Sequence, residues 1–256
     1  MCGIVGHTGT EPNPTAVIDG LKRLEYRGYD SAGIVGANGA LSTARAVGKI
    51  VNLEAVLAAQ PFPTDAIAFV GHTRWATHGK ATEANAHPHV VGNIAVVHNG
   101  IIENHAQLRM ELEAAGAVFQ SETDTEVIAH LIEQTLKHER DFVTAVQKSV
   151  VRLAGAYAIG VVSTIAPDTI IAVRKGSPLV VGLGDGQNMI GSDALAIAAY
   201  TPEVLYLSEG DLAVVTPTSV QVYDIAGKKV HRSTKHVDAA DLADKGDFPH
   251  FMLKEI

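Results

Sequence analysis

One cysteine stands among 256 residues, so the chain holds no internal disulfide framework, and the cytoplasm is the simplest compartment to expect. Basic residues are outnumbered: 20 Lys and Arg face 28 Asp and Glu, a formal net charge of −8. That balance leaves no basic face for a phosphate backbone, which removes nucleic acid from the expected partners. No apolar run approaches the roughly 20 residues needed to cross a bilayer. No basic segment followed by an apolar one opens the chain, so neither a membrane nor secretion is expected. Internal repeats are missing too, which excludes a solenoid or propeller. Histidines are abundant, at 12. Yet His87-Pro88-His89 has no cysteine or carboxylate cluster beside it at metal-ligand spacing, and no metal is expected. Gly182-Leu183-Gly184-Asp185-Gly186 lies between two apolar runs rather than ahead of a helix, so it offers no phosphate cradle. No organic cofactor is expected either.

What is present is the composition of a folded globular protein, 46% hydrophobic and 19% charged. Residues 4–6 read as a short strand. Residues 15–24 carry Ala16, Val17, Leu21 and Leu24 at helical spacing. Asn38-Gly39, between the apolar runs 32–35 and 41–47, is a hairpin signal. A helix over 50–59 should stop before Pro61. The runs 67–70 and 94–97 suit central strands. Asn104 would cap a helix ended by Gly116, and Thr123-Asp124-Thr125-Glu126 has the pattern of a capping box. A third helix runs over 142–153. Six strands then follow, over 156–162, 169–173, 179–183, 188–191, 212–215 and 220–225, on connections too short for crossover helices, so neighbours should pair antiparallel. Strands apolar on both faces need covering on each side. The fold class expected is α+β, two packed antiparallel sheets with helices outside. One domain over 1–240 and a polar tail over 241–256 are expected, the tail reading as an approach to something further on.

Three stretches could carry chemistry. Cys2 becomes the N-terminus if Met1 is removed, which puts an amine (pKa about 7.7–8.0) and a thiol (about 8.5) on one residue. Met-Cys is also an ordinary start, and a lone cysteine an ordinary small buried hydrophobe. The segment 71–79 reads as a strand-exit loop holding Arg74, Trp75, Thr77 and His78, where an arginine could clamp a carboxylate, or simply a solvated loop. His98-Asn99-Gly100 reads as a strand end whose amide NH2 and glycine N–H could face a developing oxyanion. Asp124 has an ordinary role opposite a helix dipole.

Met1-Cys2-Gly3-Ile4-Val5-Gly6, the tract Glu25 to Gly33, Thr73 to Gly79, Asn85-Ala86-His87-Pro88-His89, His98 to Asn104 and Ser121 to Glu126 occur in an order that resembles the N-terminal-nucleophile glutamine amidotransferases. Within them the likeness is to the glutaminase domains that supply ammonia for fructose 6-phosphate. The resemblance implies a four-layer αββα sandwich and hydrolysis of L-glutamine. It implies Cys2 as nucleophile with its own α-amine as base, and Asn99 and Gly100 as the oxyanion hole. Arg74 would hold the substrate's α-carboxylate with Thr77 and His78 beside it, and Asp124 its α-ammonium. Trp75 would ride a mobile loop, and Arg27, Gly28 and His87 would support the site. A sugar-phosphate isomerase domain is the implied neighbour in a longer protein, and a homodimer is allowed for. A different amidase keeping only Cys2, and a non-catalytic binding module, stay open beside this reading.

Overall fold

A computed structural model describes residues 2–60, 62–63, 65–76 and 78–238. The first part holds β1 (Gly3–Gly9), α1 (Pro14–Arg23), β2 (Ser31–Asn38), β3 (Ala40–Val47), α2 (Ile50–Ala59) and β4 (Ala68–Arg74). The middle holds β5 (His89–Val91), β6 (Ile94–Ile102), α3 (His105–Ala114), α4 (Glu126–Leu136) and α5 (Phe142–Val150). The last part begins with β7 (Gly155–Ser163), β8 (Ile170–Lys175), β9 (Val180–Leu183), β10 (Gln187–Gly191) and α6 (Ala194–Ile197). It ends with β11 (Glu203–Tyr206), β12 (Leu212–Val215), β13 (Val220–Tyr223), β14 (Lys229–Val230) and β15 (Thr234–His236).

Local chemistry explains several boundaries. Asn13 accepts the Ala16 N–H and Pro14 opens the first turn of α1, a position where a missing N–H is harmless. Asp141 caps α5 by accepting from Thr144 N. β2 and β3 form the expected hairpin, with Asn38 opposite Ala40 around Gly39 at φ +52°. Asn104 does not cap α3. Its backbone is not extended there, and its side chain instead bridges Arg152 O and Ala154 N. The capping box over 123–126 does not form either. Helix α4 starts at Glu126, whose carboxylate turns back to accept the N–H groups of Gln120 and Ser121.

Among the described residues one sheet runs β15-β11-β9-β10-β1-β4-β2-β3 and the other β14-β13-β12-β8-β7-β6-β5. Every pairing is antiparallel. Consecutive strands do not always pair, contrary to the expectation from short connections. Gly176-Ser177-Pro178 carries the chain from β8 in one sheet to β9 in the other.

The two-residue period of a strand sorts side chains to opposite faces. Thus Ile4, Val70 and Val97 join a cluster between the sheets that contains strand residues of both. Their neighbours Val5 and Phe69 point outward, beneath Val17 and Leu21 of α1, Leu53 of α2 and Ile197 of α6. On the far side Val96 and Ile159 lie under Leu108, Leu131 and Val146 of α3, α4 and α5. The result is α+β, four layers in the order αββα, and it explains why so many strands are apolar on both faces. No helix among the described residues is long and apolar enough to cross a membrane. The tail expected over 241–256 lies outside the described residues.

Leu21 is fully buried between α1 and the first sheet. Leu21→Ala should lower unfolding free energy by about 2–5 kcal/mol through lost transfer energy and a residual cavity. Urea titration checks this, with the midpoint falling at an unchanged slope.

Candidate active site

Two strands run further than the sequence suggests. β4 continues through Arg74, and β6 continues through His98, Asn99 and Gly100 to Ile102. Both are held by ladders along their length: β4 between β1 and β2, and β6 against β7 as far as Ile102 opposite Gly155. Residues 71–74 and 98–100, read as loop and strand end, are therefore on rigid elements at one end of the sandwich.

Cys2 is delivered there by register. Gly3 pairs with Thr73, so Cys2 lies beside the exit of β4. Trp75 N donates to Cys2 Sγ at 3.2 Å, and Sγ lies 3.5 Å from Trp75 O. From the facing sheet, Asn99 Nδ2 donates to Cys2 O at 3.2 Å. Burial pushes the Cys2 thiol above its ordinary value, against the pull of the Trp75 N–H and the Arg74 charge. The thiol is therefore protonated at neutral pH, and use of it as a nucleophile requires a base.

Arg74 is buried at the end of β4. Its guanidinium donates to the carbonyls of His78, Gly79 (3.0 Å) and Lys80 (3.2 Å), and Asp30 lies 3.6 Å away. The Asp30 carboxylate also accepts the Ala76 N–H at 2.6 Å, so it pins the start of the same loop. His78 packs edge-on against His105. Asp124 is buried just before α4 rather than within its first turn, and one of its oxygens accepts the Ile102 N–H at 2.8 Å. Thr77 lies outside the described residues.

The supporting residues reach the site in different ways. Gly28 has φ +76°, and a Cβ there would come within 2.4 Å of Trp75 Cζ3. Glycine is what lets the exposed indole close over this point. Gly100, with φ +124°, could carry no side chain either, because its Cβ would meet Ala156 O at 2.1 Å. Arg27 pairs with Asp193, and the adjoining Ser192 Oγ accepts the Ile4 N–H at 3.1 Å, bracketing β1.

His87 belongs to a buried group with His72, His89 and His98. The rings of His72 and His87 lie 4.1 Å apart, and those of His87 and His89 4.8 Å. Thr125 Oγ1 joins His87 Nε2 to His98 Nδ1, and Thr123 Oγ1 joins His89 to Ser121. Burial drives all four imidazoles down, to about 3 for His72 and His89, to about 4 for His98, and well below 6.5 for His87. Among the described residues no three His, Cys, Asp or Glu side chains form a metal-binding group.

Residues 72–199, half of the chain, match the glutamine amidotransferase domain family. The chain belongs to that family. This amidotransferase domain is 52% identical over 261 residues to the glutamine–fructose-6-phosphate aminotransferase (isomerizing) of Pseudomonas putida, matching all of this chain and 42% of that protein. It is 50% identical over 258 residues to the protein of that name from Zymomonas mobilis, with the same shares. The chain thus spans 42% of the length of the curated relatives it matches. In fold it is similar to a glutamine phosphoribosylpyrophosphate amidotransferase from B. subtilis complexed with ADP and GMP. The TM-score there is 0.75 at 26% identity, over 89% of this chain and 50% of that one.

Asp30, His72, Thr125, Glu126 and Asp193 were not singled out from the sequence as binding or supporting residues. Asp30 sits in the tract Arg27 to Asp30, which looks like an ordinary turn. His72 reads as one of several loop histidines, and Glu126 as a capping-box member. Their partners are distant in the chain, and only the sheet registers bring them together.

Two predictions follow from this geometry. Each buried histidine binds a proton in the unfolded chain below about pH 6.5 but not in the native one, so stability is full above that pH and falls as pH drops toward 4. Each contributes a slope of about 1.4 kcal/mol per pH unit in that window. Glu126 adds loss in the same direction below about pH 4.5. Burial raises its carboxyl, but the nearby His130 and hydrogen bonds from Ser121 and the 120–121 backbone outweigh that and hold it at about 2. Urea unfolding at pH 8, 7, 6 and 5 should give a flat plateau and then a steep decline; an unchanged free energy between pH 7 and 5 contradicts the assignment. Separately, Gly28→Ala should displace the only tryptophan, shifting its fluorescence while far-UV circular dichroism stays the same. An emission maximum identical to the parent's would mean that the indole does not rest on Gly28.

Proposed function

We propose that the domain hydrolyses the side-chain amide of L-glutamine to glutamate and ammonia through a thioester on Cys2. The observation that carries this is the meeting of Cys2, delivered by one sheet, with the Asn99 carboxamide, delivered by the other. With Met1 removed, the α-amine of Cys2 takes the thiol proton. The sulfur attacks the γ-carbonyl carbon, and the carbonyl oxygen becomes an oxyanion facing Asn99 Nδ2 and the Gly100 N–H. Collapse expels the amide nitrogen, which leaves as ammonia carrying the proton from the amine. Water then attacks the γ-glutamyl thioester, and glutamate departs as the thiol re-forms.

The opposed charges of Arg74 and Asp124 match the α-carboxylate and α-ammonium of glutamine, and Thr77 and His78 are the residues proposed to assist Arg74. Arg74 already spends donors on the carbonyls of 78–80. A carboxylate is the stronger acceptor, so substrate binding would exchange these contacts and reset the loop that begins at Trp75.

In a longer protein of the kind the curated relatives represent, the ammonia would aminate fructose 6-phosphate bound to a sugar-phosphate isomerase domain. We place that protein in the cytoplasm, and a homodimer is the assembly to test by light scattering.

Hydrolysis of glutamine should be compared with that of analogues lacking the α-amine or carrying an esterified α-carboxylate. Each lost charge-assisted bond should weaken binding by roughly ten- to a hundredfold. Intact mass with a glutamine-analogue electrophile should show one adduct, at an N-terminal Cys2. Equal rates for all three substrates, or full activity in Cys2→Ala, would end this reading.

A further inference from the structure

We infer that His72 is a positioning residue, whose Nε2–H holds the Asn99 carboxamide with its NH2 toward Cys2. This deepens the reading above and rests on it. His72 is fully buried, with Nε2 2.9 Å from the His98 carbonyl oxygen and 3.0 Å from Asn99 Oδ1. A carbonyl oxygen can only accept, so Nε2 carries the proton and Nδ1 the lone pair. His72 Nδ1 is buried and makes no hydrogen bond to any described residue.

That tautomer leaves Asn99 one acceptable orientation. Reversed, its NH2 would face the imidazole N–H across 3.0 Å, and its oxygen would face the Cys2 carbonyl oxygen across 3.2 Å. The two ends of a carboxamide are nearly the same size, so packing alone cannot choose between them. A donor at Oδ1 also polarises the amide and strengthens its NH2 as a donor. His72 itself is set by the ladder, opposite Gly33 in β2 and Ile4 in β1, and by the His87 ring at 4.1 Å. It acts on the reaction only through Asn99.

The test measures kcat and KM for glutamine in His72→Gln and His72→Asn, each alone and combined with Asn99→Ala. A glutamine side chain carries an NH2 close to the place of Nε2, whereas asparagine reaches only as far as Nδ1. His72→Asn should lower kcat roughly ten- to a hundredfold with KM within about twofold, and His72→Gln should recover most of that rate. Combined with Asn99→Ala, neither should add to the loss of about 10²–10³-fold expected from Asn99→Ala alone. Additive losses, or equal rates for the two His72 variants, would overturn the inference. Alkylation of Cys2 by iodoacetamide passes through no oxyanion and should proceed at the parent rate in every variant. A parent with no glutaminase activity would instead sink the underlying reading. If His72→Asn does not fold, nitrogen-15 shifts of the parent imidazole decide the matter: a ring protonated at Nε2 supports the inference, and one protonated at Nδ1 overturns it.

Discussion

The arrangement depends on one strand. β1 lies in the interior of its sheet between β10 and β4, and its register fixes where the residue before it must be. A residue at the start of a chain ordinarily frays, because few contacts oppose its conformational entropy. Here Ile4 and Val5 are fully buried on opposite faces of the sheet, one toward the facing sheet and one toward α1. Both outer and inner layers of core thus contribute to holding Cys2 in place. Ser192 adds to this by bonding Ile4 through both its backbone N–H and its hydroxyl. The residue is placed by the packing of the whole sandwich, and its thiol is then met by the Trp75 backbone at the exit of β4.

The second sheet must then meet that residue at a defined separation. Antiparallel pairing of β6 with β7 continues past the point where β5 ends, so among the described residues one edge of β6 beyond Val96 has no strand partner. That edge is used by side chains: the His98 carbonyl accepts from His72, and the Ile102 N–H donates to Asp124. A ladder left open on one side is normally a liability. Here each of these two groups is satisfied by a residue that the glutamine reading also uses.

Much of the scaffold was legible in the sequence, because its elements are marked by local chemistry. The Asn38-Gly39 hairpin, the Val17–Leu21 stripe of α1, the span of α2 and the sandwich class all depend on nearest neighbours or simple periods. The strand β11 was not legible, since Glu203 to Tyr206 alternates too briefly beside Pro202 to stand out. Candidate site residues were named only by resemblance. Composition cannot say that Asn99 of β6 faces Cys2, because 97 residues separate them. The misreadings share one cause. Asn104, Glu126 and Asp124 have the residue types of local caps, but in the fold their hydrogen bonds go to Ala154, Ser121 and Ile102 instead. A cap pattern records what a side chain could do locally, and a tertiary partner can outcompete it.

The buried histidines show why this end of the sandwich is not simply apolar. Four imidazoles without charge are an expensive filling, and an all-aliphatic core of the same volume would be easier to stabilise. Aliphatic packing, however, selects shape and not polarity. A carboxamide in such a core could sit either way round with the same contacts. Directional bonds distinguish its ends: His72 offers hydrogen to Asn99 Oδ1, which leaves Nδ2 for Cys2. The Ser121 hydroxyl donates to Glu126, so the Thr123 hydroxyl must donate to Ser121 and His89 Nε2 to Thr123. Each proton in this chain is thereby assigned by its neighbour, from a carboxylate at the α4 end inward. The segment 121–126 that carries Asp124 is tied down by the same set of bonds. Orientation at the candidate site is thus a property of the hydrogen-bond directions, and the surrounding apolar layers supply the stability that lets so many polar groups remain buried.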